Sequence, residues 1–271
     1  MSLTKTILNT PIIGGLAKKA ISMKASSTAG DIANHFTKFL QPQVASTPAL
    51  RDEVFRIRHN VYCEELAFEE TNKYGQEKDD FDDQSIFSMI KHIPTNNYTS
   101  CVRIVLSSCA DELLPIEKYC LSSITDKKLH PRNFKREEIC EISRLAVKAD
   151  FRRRKIDKFK GSATGVINES AYSENELRCF PFIAISLYMS SAILALNSGI
   201  RHIFVMMEPR LARSMKFVGV NSIQLGEAIE YHGTRAPYYI DPIDFRDNLS
   251  PGFKNLYKTI EKDITQQLDD K

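Results

Sequence analysis

Tryptophan is missing from this 271-residue chain, and several other features are missing with it. The six cysteines (Cys63, Cys101, Cys109, Cys120, Cys140 and Cys179) form no C-x-x-C pair, and no Cys/His cluster has the spacing of a zinc site. A chain of this length buries a sizeable core without covalent staples, so reduced and mostly buried thiols in a cytoplasmic protein are expected. Neither sign of charge dominates: 37 Lys and Arg stand against 34 Asp and Glu, a net +3. That balance argues against nucleic-acid binding, which requires a basic face and a high domain pI. Internal repeats and low-complexity segments are also lacking.

No apolar run reads as a membrane span. Phe180 to Gly199 approaches the length but contains Ser186, Ser190, Ser191 and Asn197, and its last glycine suits a helix cap, so a buried helix is expected. The first 24 residues have a short apolar stretch broken by Pro11, Gly14 and Gly15 and followed by Lys18, Lys19 and Lys24, which is not the pattern of an export signal. Residues 1–47 read as an N-terminal arm with a short helix, peripheral membrane contact being a minor alternative.

From residue 48 helices and strands alternate. Ala49 to Leu66 is predicted helical, with Arg51, Phe55, Arg58 and Tyr62 on one face. Ser85 to Ile93 and Thr99 to Leu106 read as a strand pair around the turn at 94–97, and Ile139 to Val147 as a third strand. The apolar helix, a strand at Arg201 to Met207, a helix at Arg210 to Phe217 and short strands around Ile223 to His232 and Tyr238 to Ile240 follow. Leu256, Ile260, Ile264 and Leu268 repeat every four residues in a terminal helix. The expectation is one α/β (α+β) domain over 48–245, with a mixed sheet covered by helices on both faces, and a C-terminal helix in 246–271 packed on it.

Four charged signatures punctuate this pattern: Arg51-x-x-x-Phe55, the acidic run Asp79 to Asp83, Arg103 inside an apolar strand, and Glu141-Ile142-Ser143-Arg144. An arginine flanked by Val102, Ile104 and Val105 loses hydration and needs a carboxylate, which the acidic run can supply. Glu141 and Ser143 should share one strand face and Arg144 the other, unless a bulge intervenes. An ion-pair network that only fixes loop register explains the same spacing equally well.

These motifs, taken in order and with Ser85 after the acidic run and Cys101-Val102 before Arg103, resemble the signature of acyl-homoserine-lactone (autoinducer) synthases and the related N-acyl amino acid synthases. The resemblance covers roughly residues 51–230. It is closer to an exosortase-associated (PEP-CTERM) acyltransferase branch, on Glu141 to Val147 with Phe151 to Arg154, on Met207 to Arg213, and on His232-Gly233-x-Arg235-x-Pro237.

The resemblance implies a bacterial enzyme with a GCN5-related N-acyltransferase (GNAT)-like fold, whose central strands part to admit an acyl-phosphopantetheine arm. An amine attacks a thioester, usually on acyl carrier protein, with neither metal nor redox cofactor. Glu141 is then the expected general base, held ionised by Arg144 or Arg103 with Asp82 in the network. Backbone N–H groups of Leu145 to Lys148 would take the oxyanion. Tyr172, Tyr188 and Tyr231 offer phenols for the departing thiolate. Arg51, Phe55, Tyr62, Asp79, Ser143, Leu145 and Val147 are expected around the substrates, although Phe55 with Ile57 and Val61 also reads as plain core.

Lys148 to Lys160 carries seven basic residues. Arg152, Arg153, Arg154 and Lys155 are expected to steer the acidic carrier protein, the alternative being a merely solvated loop. The glycine-rich turn that binds coenzyme A pyrophosphate in this fold is absent, which favours a carrier-protein donor. The missing tryptophan matters here, because autoinducer synthases use one to hold S-adenosylmethionine. An amino acid or another small amine is therefore the expected acceptor. The alternatives are a coenzyme A dependent acetyltransferase, a homoserine-lactone synthase, and a silent module that binds an acidic partner.

Overall fold

In the computed structural model, which describes residues 30–152 and 182–270, the alternating pattern becomes a mixed eight-stranded sheet with helices on both faces. Its strands are β1 (Leu40–Val44), β2 (Ser85–His92), β3 (Asn97–Leu106), β4 (Ile139–Val147), β5 (His202–Met207), β6 (Ile223–Gln224), β7 (Ile229–Glu230) and β8 (Thr234–Ile240). They lie in the order β1-β2-β3-β4-β5-β8-β6, and β7 also pairs with β8. Only β4 and β5 run parallel. The described helices are α1 (Gly30–Phe39), α2 (Pro48–Arg58), α3 (Pro115–Tyr119), α4 (Phe182–Asn197), α5 (Pro209–Met215), α6 (Pro242–Asn248) and α7 (Pro251–Asp269), besides short 3-10 turns.

One face of the sheet carries the main core. Ile104, Cys140, Ile142 and Ile203 meet Ile183, Leu187 and Ile193 of α4, Leu256, Ile260 and Ile264 of α7, and Phe36 of α1. The α4 helix packs on β2, β3 and β4 and also on α6 and α7, which is why it is apolar nearly all round. Two of its serines satisfy themselves one turn back, Ser186 Oγ donating to Phe182 O (2.6 Å) and Ser191 Oγ to Leu187 O (2.8 Å). Gly199, at φ 81°, ends it, and Ile200 N donates to Ala195 O at 3.0 Å, closing the cap expected from the sequence. None of the described helices is long and apolar enough to cross a membrane.

Two details differ from expectation. The sheet begins at Leu40, inside the stretch read as an arm, because β1 pairs with β2 along five residues. So short a strand, interrupted by Pro42, gives almost no alternation signal, and an edge strand tolerates the proline. The helix predicted over 49–66 is α-helical only to Arg58 and then widens into a π-helical turn, His59–Glu65, sealed by Leu66 N donating to Val61 O.

The opposite face holds two smaller cores. Val54, Phe55, Ile57 and Val61 cover Phe87, Met89 and Cys101; Leu114, Ile116, Cys120 and Ile124 cover Val105, Ile139, Phe204 and Met206. Between them the sheet presents Arg103, Glu141 and Ser143. The described cysteines are free thiols, buried at Cys63, Cys101, Cys120 and Cys140 and exposed at Cys109; Cys179 lies outside the described residues.

Candidate functional site

β4 is irregular on both sides. Against β3, Cys101 pairs with Ala146 while Arg103 pairs with Ser143, so β4 has one residue too many between them. That is a β-bulge, with Arg144 in the left-handed region at φ 50°. The bulge reverses the alternation: beyond it Ala146 joins the core under α2 and Val147 the core under α4. Against β5, pairing runs only from Ile139–His202 to Glu141–Phe204 and then stops, although β4 continues to Val147 and β5 to Met207. The two central strands therefore part just after Glu141, as the sequence resemblance implies.

The bulge also explains how Arg144 reaches the same face as Arg103. Its guanidinium lies 3.3 Å from carboxylate oxygens of Glu69, Glu77 and Asp79. Arg103 Nη1 bonds Asp79 (2.5 Å) and Asp82 (2.9 Å), and its Nε donates to Ser143 Oγ at 3.1 Å. Arg58, wholly buried in the last turn of α2, binds Asp82 at 2.6 Å and also pairs with Glu77. Arg51 Nη2 donates to the backbone oxygen of Asp82 at 2.7 Å.

Asp79 and Asp82 close a capping box around a 3-10 turn, Asp82 Oδ2 accepting from Asp79 N at 2.8 Å. Burial works against the Asp82 charge, but the Arg58 and Arg103 guanidiniums overcome it and hold the carboxyl below the usual aspartate range. For Arg58 burial likewise opposes the charge, and Glu77 and Asp82 outweigh it.

Glu141 stands apart from this network. It is buried, and Oε2 accepts a 2.5 Å hydrogen bond from Ile116 N in the first turn of α3. Neither Arg103 nor Arg144 forms an ion pair with it, because both are taken by Glu77, Asp79 and Asp82. Burial consequently pushes its carboxyl up to about 8, against the opposing pull of the Ile116 N–H and the more distant arginines. The expectation that those arginines hold Glu141 ionised is thereby corrected: at neutral pH the resting group is mainly protonated.

Tyr62, on the π-helical turn, donates to Leu145 O in the bulge at 2.8 Å, with Arg144 over its ring; burial raises its phenol to about 12. Phe55 packs in the core edge-on to Phe87. Val147 is core, and Lys148 N is committed to Thr99 O at 2.9 Å, so the far end of the expected oxyanion segment is engaged. Between Cys140 and Val147, only Arg144 and Leu145 stand opposite no β3 residue. Burial raises the Tyr188 and Tyr231 phenols as well.

Arg152 is not part of an exposed basic patch: it is buried and ion-paired with Glu65 on the π-helical turn. Arg153, Arg154, Lys155 and Tyr172 lie outside the described residues. The sequence reading missed Glu77, just outside the acidic run, and the role of Arg58, although its position on the Arg51 face was visible. The Ile116 N–H has no side-chain signature at all.

Comparison with known proteins agrees with this fold. Residues 57–160 match the acetyltransferase (GNAT) domain family. No curated protein sequence matches the chain. Among solved structures, TofI in a ternary complex with an inhibitor and MTA is similar at TM-score 0.55 and 15% identity, over 78% of this chain and 98% of that one. The AHL synthase LasI is similar at TM-score 0.52 and 14% identity, over 78% and 96%. BjaI, a CoA-dependent acyl-homoserine lactone synthase with SAM and isopentyl-CoA, is similar at TM-score 0.50 and 14% identity, over 83% and 89%. The chain is therefore an acyltransferase: residues 57–160 match the acetyltransferase (GNAT) domain family, and the sheet around them has the fold of the acyl-homoserine-lactone synthases.

Proposed function

We propose that this chain transfers a fatty acyl group from an acyl-carrier-protein thioester to a primary amine, that of an amino acid, by direct attack. The supporting observation is Glu141, a buried carboxyl without a counter-ion among the described residues, at the point where β4 and β5 part. An ammonium must lose a proton before it can attack, and a carboxylate whose conjugate acid titrates near 8 accepts that proton far better than an ordinary one. The amine nitrogen then bonds the thioester carbon, the bulge at Arg144 and Leu145 faces the oxyanion, and the C–S bond breaks as the thiolate takes up a proton. In this reading the Arg58, Arg103 and Arg144 network holds the bulge and the acceptor wall in place rather than ionising the base.

A coenzyme A donor is the second reading. It is favoured by the burial of Arg152, which leaves the proposed carrier-docking stretch one cation short. BjaI, of similar fold, is CoA-dependent. The test is an assay of the full-length protein with octanoyl and hexadecanoyl thioesters of both carriers against a panel of amines, read by mass spectrometry. A new amide from the carrier-protein thioester is expected. Amide from acyl-coenzyme A alone would select the second reading, and no amide from any pairing would overturn both.

A further inference from the structure

With one exception, the arginines of the site face have oxygen acceptors among the described residues, Arg51 donating to the Asp82 and Ser85 carbonyls. Arg58, Arg103 and Arg144 each hold at least two carboxylates. Arg235 holds none: it is partly buried on β8, its Nε is closed off from solvent, and no hydrogen-bond partner reaches it among the described residues. A guanidinium set into a protein without an acceptor lacks the hydrogen bonds it would make in water, so the position suits an anion that arrives with the substrate.

Its place in the sheet says which substrate. Ala236, the next residue, pairs with Met207, the last residue of β5, so Arg235 lies at the end where β5 has parted from β4. Ala236, Tyr238 and Ile240 face the α4 core and Tyr239 the opposite one, which puts Arg235 on the same sheet face as Glu141, Ser143 and Arg103. The β7–β8 turn before it reaches the Arg144 network: the His232 ring lies 5.6 Å from that of Phe68, and its Nε2 lies 3.9 Å from Glu69, a partner of Arg144. The Cys120 thiol feels both the Glu141 carboxyl and the Arg235 guanidinium, and the Tyr62 and Tyr188 phenols also feel Arg235.

We infer that Arg235 receives the carboxylate of the amine acceptor, as a bidentate guanidinium pair, and so selects amino acids over simple amines. The inference rests on the reading of this site as one that acylates an amine. A guanidinium beside the opening and a base farther in would hold an α-amino acid by one end and leave the other for proton removal. An alternative source of the anion is the phosphate of the pantetheine arm, and the experiment separates the two.

Full-length wild type, Arg235→Met and Arg235→Lys are assayed with amino acids set beside their decarboxylated counterparts, phenylalanine with phenethylamine and leucine with isoamylamine. Wild type is expected to show a KM for the amino acid at least roughly ten-fold below that for the amine, a difference of about 1.4 kcal/mol. Arg235→Met should erase that difference by raising the amino-acid KM alone, and Arg235→Lys should restore part of it. Unfolding temperature should not fall, because no partner among the described residues is lost. A rise in the donor KM instead would assign Arg235 to the phosphate and overturn the inference, as would equal losses on amine and amino acid. If wild type acylates nothing, the reading of the reaction fails separately, and calorimetric titration of phenylalanine decides the anchor. Binding that is lost in Arg235→Met upholds it; no binding, or binding unchanged by the substitution, overturns it.

Discussion

The Tyr62 hydroxyl donates a 2.8 Å hydrogen bond to the backbone carbonyl of Leu145. That bond ties the π-helical turn after α2 to the bulge in β4, two irregular segments far apart in sequence. Each departs from regular geometry, and each fixes the other. Replacing Tyr62 with Phe removes the bond and leaves the ring packing intact. The expected stability loss is about 1 kcal/mol, a few degrees in Tm for a domain of this size. A larger effect, a fall in kcat of about ten-fold or more, is expected if the bulge orients the reacting carbonyl. Thermal unfolding and steady-state kinetics on one preparation check the split.

Asp82 joins Arg58 to Arg103, and losing any one of the three takes from a buried charge one of its two ion-pair partners. Asp82→Asn and Arg103→Met are each expected to lower stability by about 3–5 kcal/mol. The double variant should lose less than the sum, because the two residues share one interaction. Chemical denaturation measures all three. Unchanged stability in both single variants would show that the network is not coupled.

The depressed Asp82 carboxyl also sets an acid limit. Its contribution is present above the unfolded aspartate value of about 3.9 and is lost as pH falls through the lower folded value. The acid limb of the stability profile should therefore be shallower in Asp82→Asn than in wild type.

Glu141 has the opposite sign. Its folded pKa, about 8, lies above that of an unfolded glutamate. Its protonated form is favoured in the fold, so this contribution is full at low pH and is lost as pH rises through 8. Activity should rise over the same range as the base deprotonates. Glu141→Gln is expected to lower kcat by about 100-fold or more and to remove the rise with pH. It should also hold its stability at alkaline pH better than wild type. A pH–rate profile unaltered by the substitution would remove Glu141 from the chemistry.

The buried pair of Arg152 with Glu65 separates the basic stretch into two roles. Arg152→Glu sets two carboxylates together and should lower Tm with every substrate, by roughly 5–10 °C. Arg153→Glu with Arg154→Glu should leave Tm unchanged, slow turnover with acyl carrier protein in a salt-dependent way, and spare a small thioester. Equal losses with the carrier and the small thioester would end the docking reading.

Much of the frame was legible because local rules sufficed. Ile139 to Val147 is a strand with the predicted bounds, since branched residues in sequence leave little choice. The partner for Arg103 followed from desolvation alone, and the acidic run supplied it. The state of Glu141 was not legible, because it depends on where Arg103 and Arg144 spend their charges, a competition among residues contributed by α2, β3, β4 and the loop at 77–82. Nor was the π-helical turn, because His59 to Glu65 contains no breaker that marks the change of winding.

The order of elements, the faces of the amphipathic helices and the pairing of an in-strand arginine with aspartates were determined by the sequence itself, through periodicity and the cost of burying charge. Tertiary structure alone decided the rest. It inserted one extra residue into β4 and so turned Arg144 to the same face as Arg103. It parted β4 from β5 beside Glu141 and left Arg235, near the opening, without a partner among the described residues. Bulges and pKa values belong to neighbours brought together across the fold, and a list of residues does not record which carboxylate each cation has already met.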